Sequence, residues 1–232
     1  MTDQRVRPGF WRSLYPPLKR LIDIVGSALM LLVLAPLLVV IWVAIRVSSD
    51  GPALFAQERV GRHGAPFVMW KFRTMRVNAP DLRNADGTTF NAVDDSRVTR
   101  IGRVLRGTSL DELPQLWNVL VGDMSFVGGR PDLPDGVLRY TGDQVDRLLV
   151  RPGMTSWAIV NGRNNVPVDT RRDLDAWYAR NVSLALDIKI LLMTIRLVIG
   201  RDGVINDYSK GIAMSGQNTK APDRAAPTVK LK

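Results

Sequence analysis

The chain of 232 residues carries a formal net charge of +10, an isoelectric point near 10.5 and no cysteine. Its length suits one domain with an anchoring segment, and the lack of cysteine excludes disulfides and thiolate metal sites. Its one histidine, His63, lies in a Gly-Arg-His-Gly turn and is expected to face solvent, so no Ser/His/Asp triad is expected.

The basic excess favours polyanionic substrates and an anionic membrane surface as partners. Nucleic acid would suit the same charge. However, lysine and arginine are interleaved with acidic residues, and the sequence has no helix-turn-helix or zinc-finger pattern. We therefore expect no nucleic-acid partner.

The first predicted element is an apolar helix, because residues 24–45 form an uncharged run of 22 residues. About 20 residues cross a hydrocarbon core as a helix. Pro36, near the middle, removes a backbone hydrogen bond and predicts a bend or break. Basic residues flank both ends, whereas a spanning helix usually has one basic side. A kinked spanning helix and a helix-break-helix that enters and leaves by the same face both stay open.

The remainder predicts mixed α and β structure. Residues 53–60 and 67–75 are predicted strands of a hairpin whose turn is 61–66, and residues 78–96 a mobile polar loop. Helices are predicted at residues 97–105, 113–120, 135–149, 171–180 and 184–199. The last carries three charged residues, so it either lies along the membrane surface or packs into the core. Residues 209–232 are polar and predicted to be disordered.

The stretch TSLDELPQLWNVLVGDMSFVGGRP, residues 108–131, places an acid pair, Asp111 and Glu112, ahead of a glycine-rich turn that contains Arg130. An acid pair can supply a nucleophile, a base or a metal ligand. The planar fork of arginine suits phosphate. The combination indicates phosphate-ester chemistry.

The same acids allow a plainer interpretation. Ser109 and Glu112 have the spacing of a capping box, and Pro114 is tolerated only near a first turn, which predicts a helix start around Ser109 to Leu110. The acids would then only complement a helix dipole.

Three long segments, in order, resemble the bacterial sugar transferase family, the monotopic polyprenyl-phosphate phosphoglycosyl transferases. They are residues 19–76, residues 94–131 and RPGMTSWAIVNGR at residues 151–163. The resemblance covers roughly residues 19–200. It implies transfer of a sugar 1-phosphate from a UDP-sugar to undecaprenyl phosphate with release of UMP, the first membrane step of exopolysaccharide, O-antigen or glycan assembly.

The resemblance also implies roles for the acid pair and the arginine. Asp111 matches the nucleophile, which forms a covalent phosphosugar-aspartate intermediate. Glu112 matches the second acid of the dyad, which helps to deprotonate or orient the lipid phosphate, and magnesium is expected to bind at Asp111 and Glu112. Arg130 matches the arginine that clamps phosphate.

Three further basic residues match the family pattern. Lys71 and Arg73, in Lys-Phe-Arg-Thr-Met, match basic positions near the site, and Arg163, in Asn-Gly-Arg, is a candidate ligand of the nucleotide or diphosphate. Surface ion pairing is the alternative for all three. The chain departs from the family at Gly129, where proline is usual, and within residues 156–163, so its sugar preference is expected to differ from that of the commonest members.

The resulting expectation is an α+β fold, mostly helical, with a re-entrant membrane helix broken near Pro36, a small cytoplasmic catalytic domain and amphipathic interfacial helices. The predicted boundaries are an N-terminal segment at 1–18, the membrane helix at 19–47, the catalytic domain at 48–205 and a disordered tail at 206–232. We expect the compact form of the family, with no multi-span domain before the anchor.

The expected location is the bacterial inner membrane, with the catalytic domain facing the cytoplasm. Expected partners are the UDP-sugar, undecaprenyl phosphate and membrane lipids. A homodimer and downstream glycosyltransferases are further candidates. The alternative function is a non-catalytic membrane-associated scaffold.

Overall fold

The computed structural model describes residues 10–84, 90, 95–162 and 166–200, with the side chains of helix α1 described from Tyr15 onward. The elements are α1 (Phe10–Ser48), β1 (Leu54–Val60), β2 (Pro66–Phe72), α2 (Arg100–Thr108), α3 (Gln115–Val121), β3 (Ser125–Val127), α4 (Pro134–Val137), β4 (Gly153–Thr155), α5 (Trp157–Val160), α6 (Val168–Arg180) and α7 (Leu184–Ile199). Short 3₁₀ segments occur at Arg62–Gly64, Leu110–Glu112 and Gly142–Leu149. The described part of the chain is therefore mostly helical with two small sheets, as expected.

Helix α1 is 39 residues long, and its section Tyr15–Ser48 is long and apolar enough to cross a membrane. It begins earlier than the predicted residue 19, and helical backbone continues without interruption through Pro36. The structure thus shows no gap in the helix at Pro36. The re-entrant path stays a prediction.

The N-terminal half of α1 is fixed to the rest of the domain by polar contacts. The Asp23 carboxylate accepts hydrogen bonds from the Ser125 hydroxyl and the Phe126 amide, both at 3.0 Å. The Arg20 guanidinium donates to the carbonyl oxygens of Val119 and Leu120 at 2.6 and 2.7 Å. Two charged residues of α1 are therefore hydrogen-bonded to α3 and β3.

A second set of contacts, named the Asp187 cluster, consists of Tyr15, Lys19, Tyr178 and Asp187. Both tyrosine hydroxyls and the Lys19 ammonium donate to the Asp187 carboxylate. Asp187 and Tyr178 are buried. This cluster joins α1 to α6 and α7.

The C-terminal half of α1 is held by apolar packing. Ile41 and Ile45 are buried in an apolar cluster with Ala53, Phe72 and Leu105. Both halves of α1 therefore contact the same domain.

The predicted hairpin is confirmed. β1 and β2 pair antiparallel, with Leu54 opposite Phe72 and Val60 opposite Pro66. The turn between them contains the exposed His63, whose φ is 58°. Side chains alternate across the strands, so Lys71 shares a face with its cross-strand partner Phe55.

The prediction of one helix at residues 135–149 is wrong. α4 ends at Val137, and a 3₁₀ segment follows from Gly142, whose φ is +51°. The Thr141 hydroxyl and the Gln144 side chain form a capping box at its start. This polar cap and the left-handed glycine restart the chain in a new direction.

Helix α7 occupies the predicted residues 184–199. It buries Ile190 in a cluster with Val127, Val160 and Tyr178, while Ile188, Leu192, Ile195 and others stay exposed. One face of α7 therefore packs into the core and another remains apolar and open. β3 and β4 pair in parallel beside it, with Val127 opposite Thr155.

Candidate active site

The acid pair lies in a tight 3₁₀ turn rather than in the first turn of an α-helix. α2 ends at Thr108, Ser109 adopts a left-handed φ of 57°, and the turn Leu110–Glu112 follows. α3 begins only at Gln115. The predicted capping box is wrong, because the Ser109 side chain makes no capping hydrogen bond and the Glu112 carboxylate binds other partners.

The Glu112 carboxylate is held by two cations. The Lys71 ammonium lies 3.0 Å from Oε1, and the Arg130 guanidinium contacts both oxygens, at 2.5 Å to Oε1 and 3.4 Å to Oε2. Burial alone would raise the pKa of Glu112, but Arg130 and Lys71 outweigh it and hold the pKa far below its ordinary value. Glu112 is therefore fully charged in this arrangement.

Asp111 has the opposite surroundings. Within the described part of the chain its carboxylate accepts no hydrogen bond and has no ion-pair partner within 4.0 Å. Burial raises its pKa, against the attraction of nearby Lys71. An under-solvated carboxylate with free lone pairs can attack an electrophile or bind a cation.

The two cations reach Glu112 from separate elements. Lys71 extends from β2, and Arg130 from the turn after β3. Burial lowers the pKa of Lys71, against the effect of Glu112, whereas Glu112 raises the pKa of Arg130. The Arg130 side chain is 45% exposed, so it is open to a ligand.

The structure does not bring Arg73 to the acid pair. Its Nε donates to the Pro52 carbonyl at 2.6 Å and its Nη2 to the Ser49 carbonyl at 3.1 Å. It thereby fixes the segment that follows α1. Its role in phosphate binding stays a prediction, and Arg163 lies outside the described residues.

A cavity of about 1210 Å³ opens beside the acid pair. Basic side chains outnumber acidic ones along its wall; the basic ones are Arg59, Lys71, Arg73, Arg76, Arg97, Arg103, Arg106, Arg130, Arg139, Arg147, Arg171 and Arg172. Met30 of α1 and Leu191 and Val198 of α7 contribute apolar wall. The cavity therefore joins a strongly basic region to the two helices with exposed apolar faces.

Most of these arginines did not stand out in the sequence, and Arg59 and Arg106 are two of them. Arg59 lies on β1, on the same face as Lys71 by the two-residue alternation of the hairpin, and this alternation was the available signal. Burial lowers the pKa of Arg59 to about 10. Arg106 donates to the Thr74 hydroxyl at 2.9 Å, a long-range contact that no local pattern indicates.

The donors around the acid pair suit a sparsely coordinated metal. No group of three or more histidine, cysteine or acidic residues that could hold a metal occurs among the residues the structure describes. The Asp111 oxygens have no hydrogen-bond partner among the described residues, whereas both Glu112 oxygens are engaged by cations. Mg²⁺ often binds through one or two carboxylates and completes its shell with substrate phosphates and water. The donors fit that sparse kind of site.

Comparison with known proteins identifies relatives over most of the chain. Residues 14–201 match the family model described as bacterial sugar transferase. The undecaprenyl-phosphate galactose phosphotransferase of Salmonella typhimurium is 44% identical over 198 residues, covering 80% of this chain and 41% of that protein. The uncharacterized sugar transferase EpsL of Bacillus subtilis is 42% identical over 187 residues, covering 81% and 90%.

A third relative, the undecaprenyl-phosphate glucose phosphotransferase of Komagataeibacter xylinus, is 45% identical over 190 residues, covering 77% of this chain and 35% of that protein. The chain thus spans about two fifths of the Salmonella relative and nine tenths of EpsL.

Proposed function

The chain belongs to the bacterial sugar transferase family, and from that membership we propose that it is a phosphoglycosyl transferase. It moves a sugar 1-phosphate from a UDP-sugar to undecaprenyl phosphate and releases UMP. The observation that carries the proposal is the placement in one cleft of a cation-bound Glu112 beside Asp111, whose carboxylate accepts no hydrogen bond from the described residues. Such a pair supplies phosphate-binding cations next to a nucleophile.

The proposed first step is attack by an Asp111 oxygen on the β-phosphorus of the UDP-sugar. An aspartate oxygen–phosphorus bond forms, the bond to the bridging oxygen breaks, and UMP leaves with that electron pair. Arg130 and Lys71 face the charge that accumulates on the phosphates. In the second step an oxygen of undecaprenyl phosphate attacks the same phosphorus, which frees Asp111 and gives the lipid-linked diphosphosugar.

The role of Glu112 follows from its charge. A carboxylate whose pKa is held far below its ordinary value is a poor base. Its better-supported role is to hold Lys71 and Arg130 in place until a phosphate arrives. Deprotonation of the lipid phosphate by Glu112 would first require those cations to move to the substrate.

Magnesium is the expected cofactor. Asp111 and Glu112 would hold it together with oxygens of the diphosphate. When bound it would neutralise diphosphate charge and stabilise the departing UMP.

The proposed membrane arrangement places both ends of α1 on one face of the bilayer. It is supported by the contacts of both halves of α1 with one domain: Asp23 with Ser125 near the N-terminal end, and Ile45 with the apolar cluster near the other. A straight spanning helix would separate these ends by the thickness of the membrane. The exposed apolar face of α7, with Lys189 and Arg196 in the same helix, suits the interface.

The activity test is UMP release from a panel of UDP-sugars with and without undecaprenyl phosphate. UDP-galactose and UDP-glucose come first, because relatives are named for those sugars. We expect release that depends on the lipid for multiple turnovers, and a phosphosugar adduct by intact-protein mass spectrometry with UDP-sugar alone. No release with any UDP-sugar would favour the non-catalytic scaffold.

The topology test uses the absence of native cysteine. Thr2→Cys and His63→Cys are probed separately with a membrane-impermeant thiol reagent in intact and lysed cells. We expect both to be protected in intact cells and labelled after lysis. Labelling of the Thr2→Cys variant from outside, with the His63→Cys variant protected, would show that the helix spans. Pro36→Leu, expected to straighten the helix, is the variant to compare.

A further inference from the structure

The turn that carries Arg130 is held from outside by side chains. The Arg130 amide donates to Asp175 Oδ2 at 3.3 Å, and the Arg130 carbonyl accepts from Arg147 Nη2 at 2.5 Å. The same two side chains bind each other, with Nη2 3.1 Å from Oδ2. Both backbone polar groups of Arg130 are thus closed into one ring of hydrogen bonds.

This ring is rigidly supported. The Asp175 side chain is 3% exposed and the Arg147 side chain 6%. Asp175 Oδ1 also accepts from the Ala158 amide at 3.4 Å. Arg147 Nη1 donates to Asp132 at 2.6 Å, and its guanidinium lies over the Tyr140 ring. A buried charge pair whose other donors and acceptors are also hydrogen-bonded has little freedom to move.

Gly129 leaves room for this ring. A Cβ at residue 129 would lie 3.1 Å from both Cβ and Oδ2 of Asp175, which is closer than ordinary contact. A side chain at this position would crowd Asp175, and the conformational freedom that glycine adds to the turn is restrained by the hydrogen bonds of Arg130 with Asp175 and Arg147.

We propose that Asp175 and Arg147 are positioning residues for Arg130, fixing its backbone so that its guanidinium faces the acid pair. Their effect on turnover rests on the proposed function. In the described structure neither side chain is hydrogen-bonded or ion-paired to Asp111 or Glu112. They act on the reaction through Arg130, which contacts Glu112.

The first measurement is amide hydrogen exchange of the peptide covering residues 126–132, followed by mass spectrometry. Asp175→Asn keeps the shape of the side chain but loses its charge. We expect faster exchange in this peptide and unchanged exchange across α6. Arg147→Lys should give the same pattern, because lysine offers a single nitrogen in place of the two Nη atoms that bind Asp132 and the Arg130 carbonyl. Unchanged exchange in both variants would overturn the proposal.

The second measurement is a double-mutant cycle on kcat/KM with Asp175→Asn and Arg130→Ala. We expect Asp175→Asn to lower kcat/KM about tenfold in the native background and less than about twofold when Arg130 is already alanine. Additive losses would overturn the proposal, since a general structural defect does not depend on Arg130. Arg180→Gln, which removes exposed pairs with Asp143 and Asp146, is the matched control and should change neither measurement.

If Asp175→Asn does not fold, Gly129→Ala takes its place in both measurements. Its methyl group displaces Asp175 without removing a charge. Should the wild-type protein release no UMP from any UDP-sugar, the proposed function fails, while the exchange measurement still decides whether Asp175 and Arg147 hold Arg130.

Discussion

Asp187 and Asp111 are both partly or fully shielded aspartates near basic side chains, yet their hydrogen bonding is opposite. The Asp187 carboxylate accepts from Tyr15, Lys19 and Tyr178. Asp111 accepts from no described residue, and burial raises its pKa. A fully bonded carboxylate joins parts of a fold, whereas one left without donors keeps its lone pairs for chemistry. Substitution of each aspartate distinguishes the two roles.

The largest effect is expected from Asp111→Asn. The amide is a far weaker nucleophile, so kcat should fall by at least about 10³-fold. Thermal stability should stay equal or rise, because a poorly solvated charge is removed. UMP release and Tm are measured on the same preparation. Retained turnover would remove Asp111 from the nucleophile role.

Asp187→Asn should give the reverse result. It leaves the partly buried Lys19 ammonium without a counter-charge, which costs about 3 kcal/mol of stability. Tm and the resistance of α1 to proteolysis should both fall. The residual activity of the folded fraction should exceed that of Asp111→Asn. Full loss of activity at unchanged Tm would mean that Asp187 takes part in the reaction rather than in holding the fold together.

Arg130→Ala should have an intermediate effect on activity. Loss of a charge-assisted phosphate contact costs about 1.5–3 kcal/mol, or roughly one to two decades in kcat/KM. Arg130→Lys should recover only part of it, because lysine lacks the planar fork. Wild-type kinetics in Arg130→Ala would show that Lys71 alone serves the phosphate.

The smallest effect is a shift of pH dependence. The raised pKa of Asp111 predicts that kcat/KM declines with acid at a pH above the ordinary aspartate value, because a protonated carboxyl cannot attack. The folded protein binds this proton more readily than the unfolded chain. The contribution of Asp111 therefore makes the free energy of unfolding fall as pH rises from the pKa of the unfolded chain to the raised pKa of the folded protein. Asp111→Asn should abolish that slope, and an acid limb at the ordinary value would contradict the assignment.

The sequence predicted local elements well where the pattern was regular. The hairpin alternates in two-residue steps and α7 carries a long apolar period, and both were found near the expected residues. Glu112 and Arg130 lie in one sequence motif, but their ion pair was not predicted. The predicted capping box of Ser109 and Glu112 was wrong, because Lys71 and Arg130 bind the Glu112 carboxylate in place of a backbone amide.

Contacts across long stretches of chain could not be predicted. Asp175 lies 45 residues from the Arg130 amide that it accepts from, and nothing around either residue indicates the other. Arg147 was placed in a continuous helix, although the chain turns at Gly142 before reaching it. Such contacts depend on how elements pack, which a single sequence does not reveal.

The ion pairs of Glu112 mean that the cleft binds its own anion before any ligand enters. Each phosphate that reaches Lys71 and Arg130 must displace a carboxylate already there, so the binding free energy reflects an exchange rather than a simple gain. Replacing Glu112 with a neutral residue would therefore strengthen the binding of UDP, although Lys71 and Arg130 would be less well ordered. For the same reason, an inhibitor with an uncharged substitute for phosphate should bind weakly here, because it interacts less strongly with Lys71 and Arg130 than the Glu112 carboxylate that it must displace.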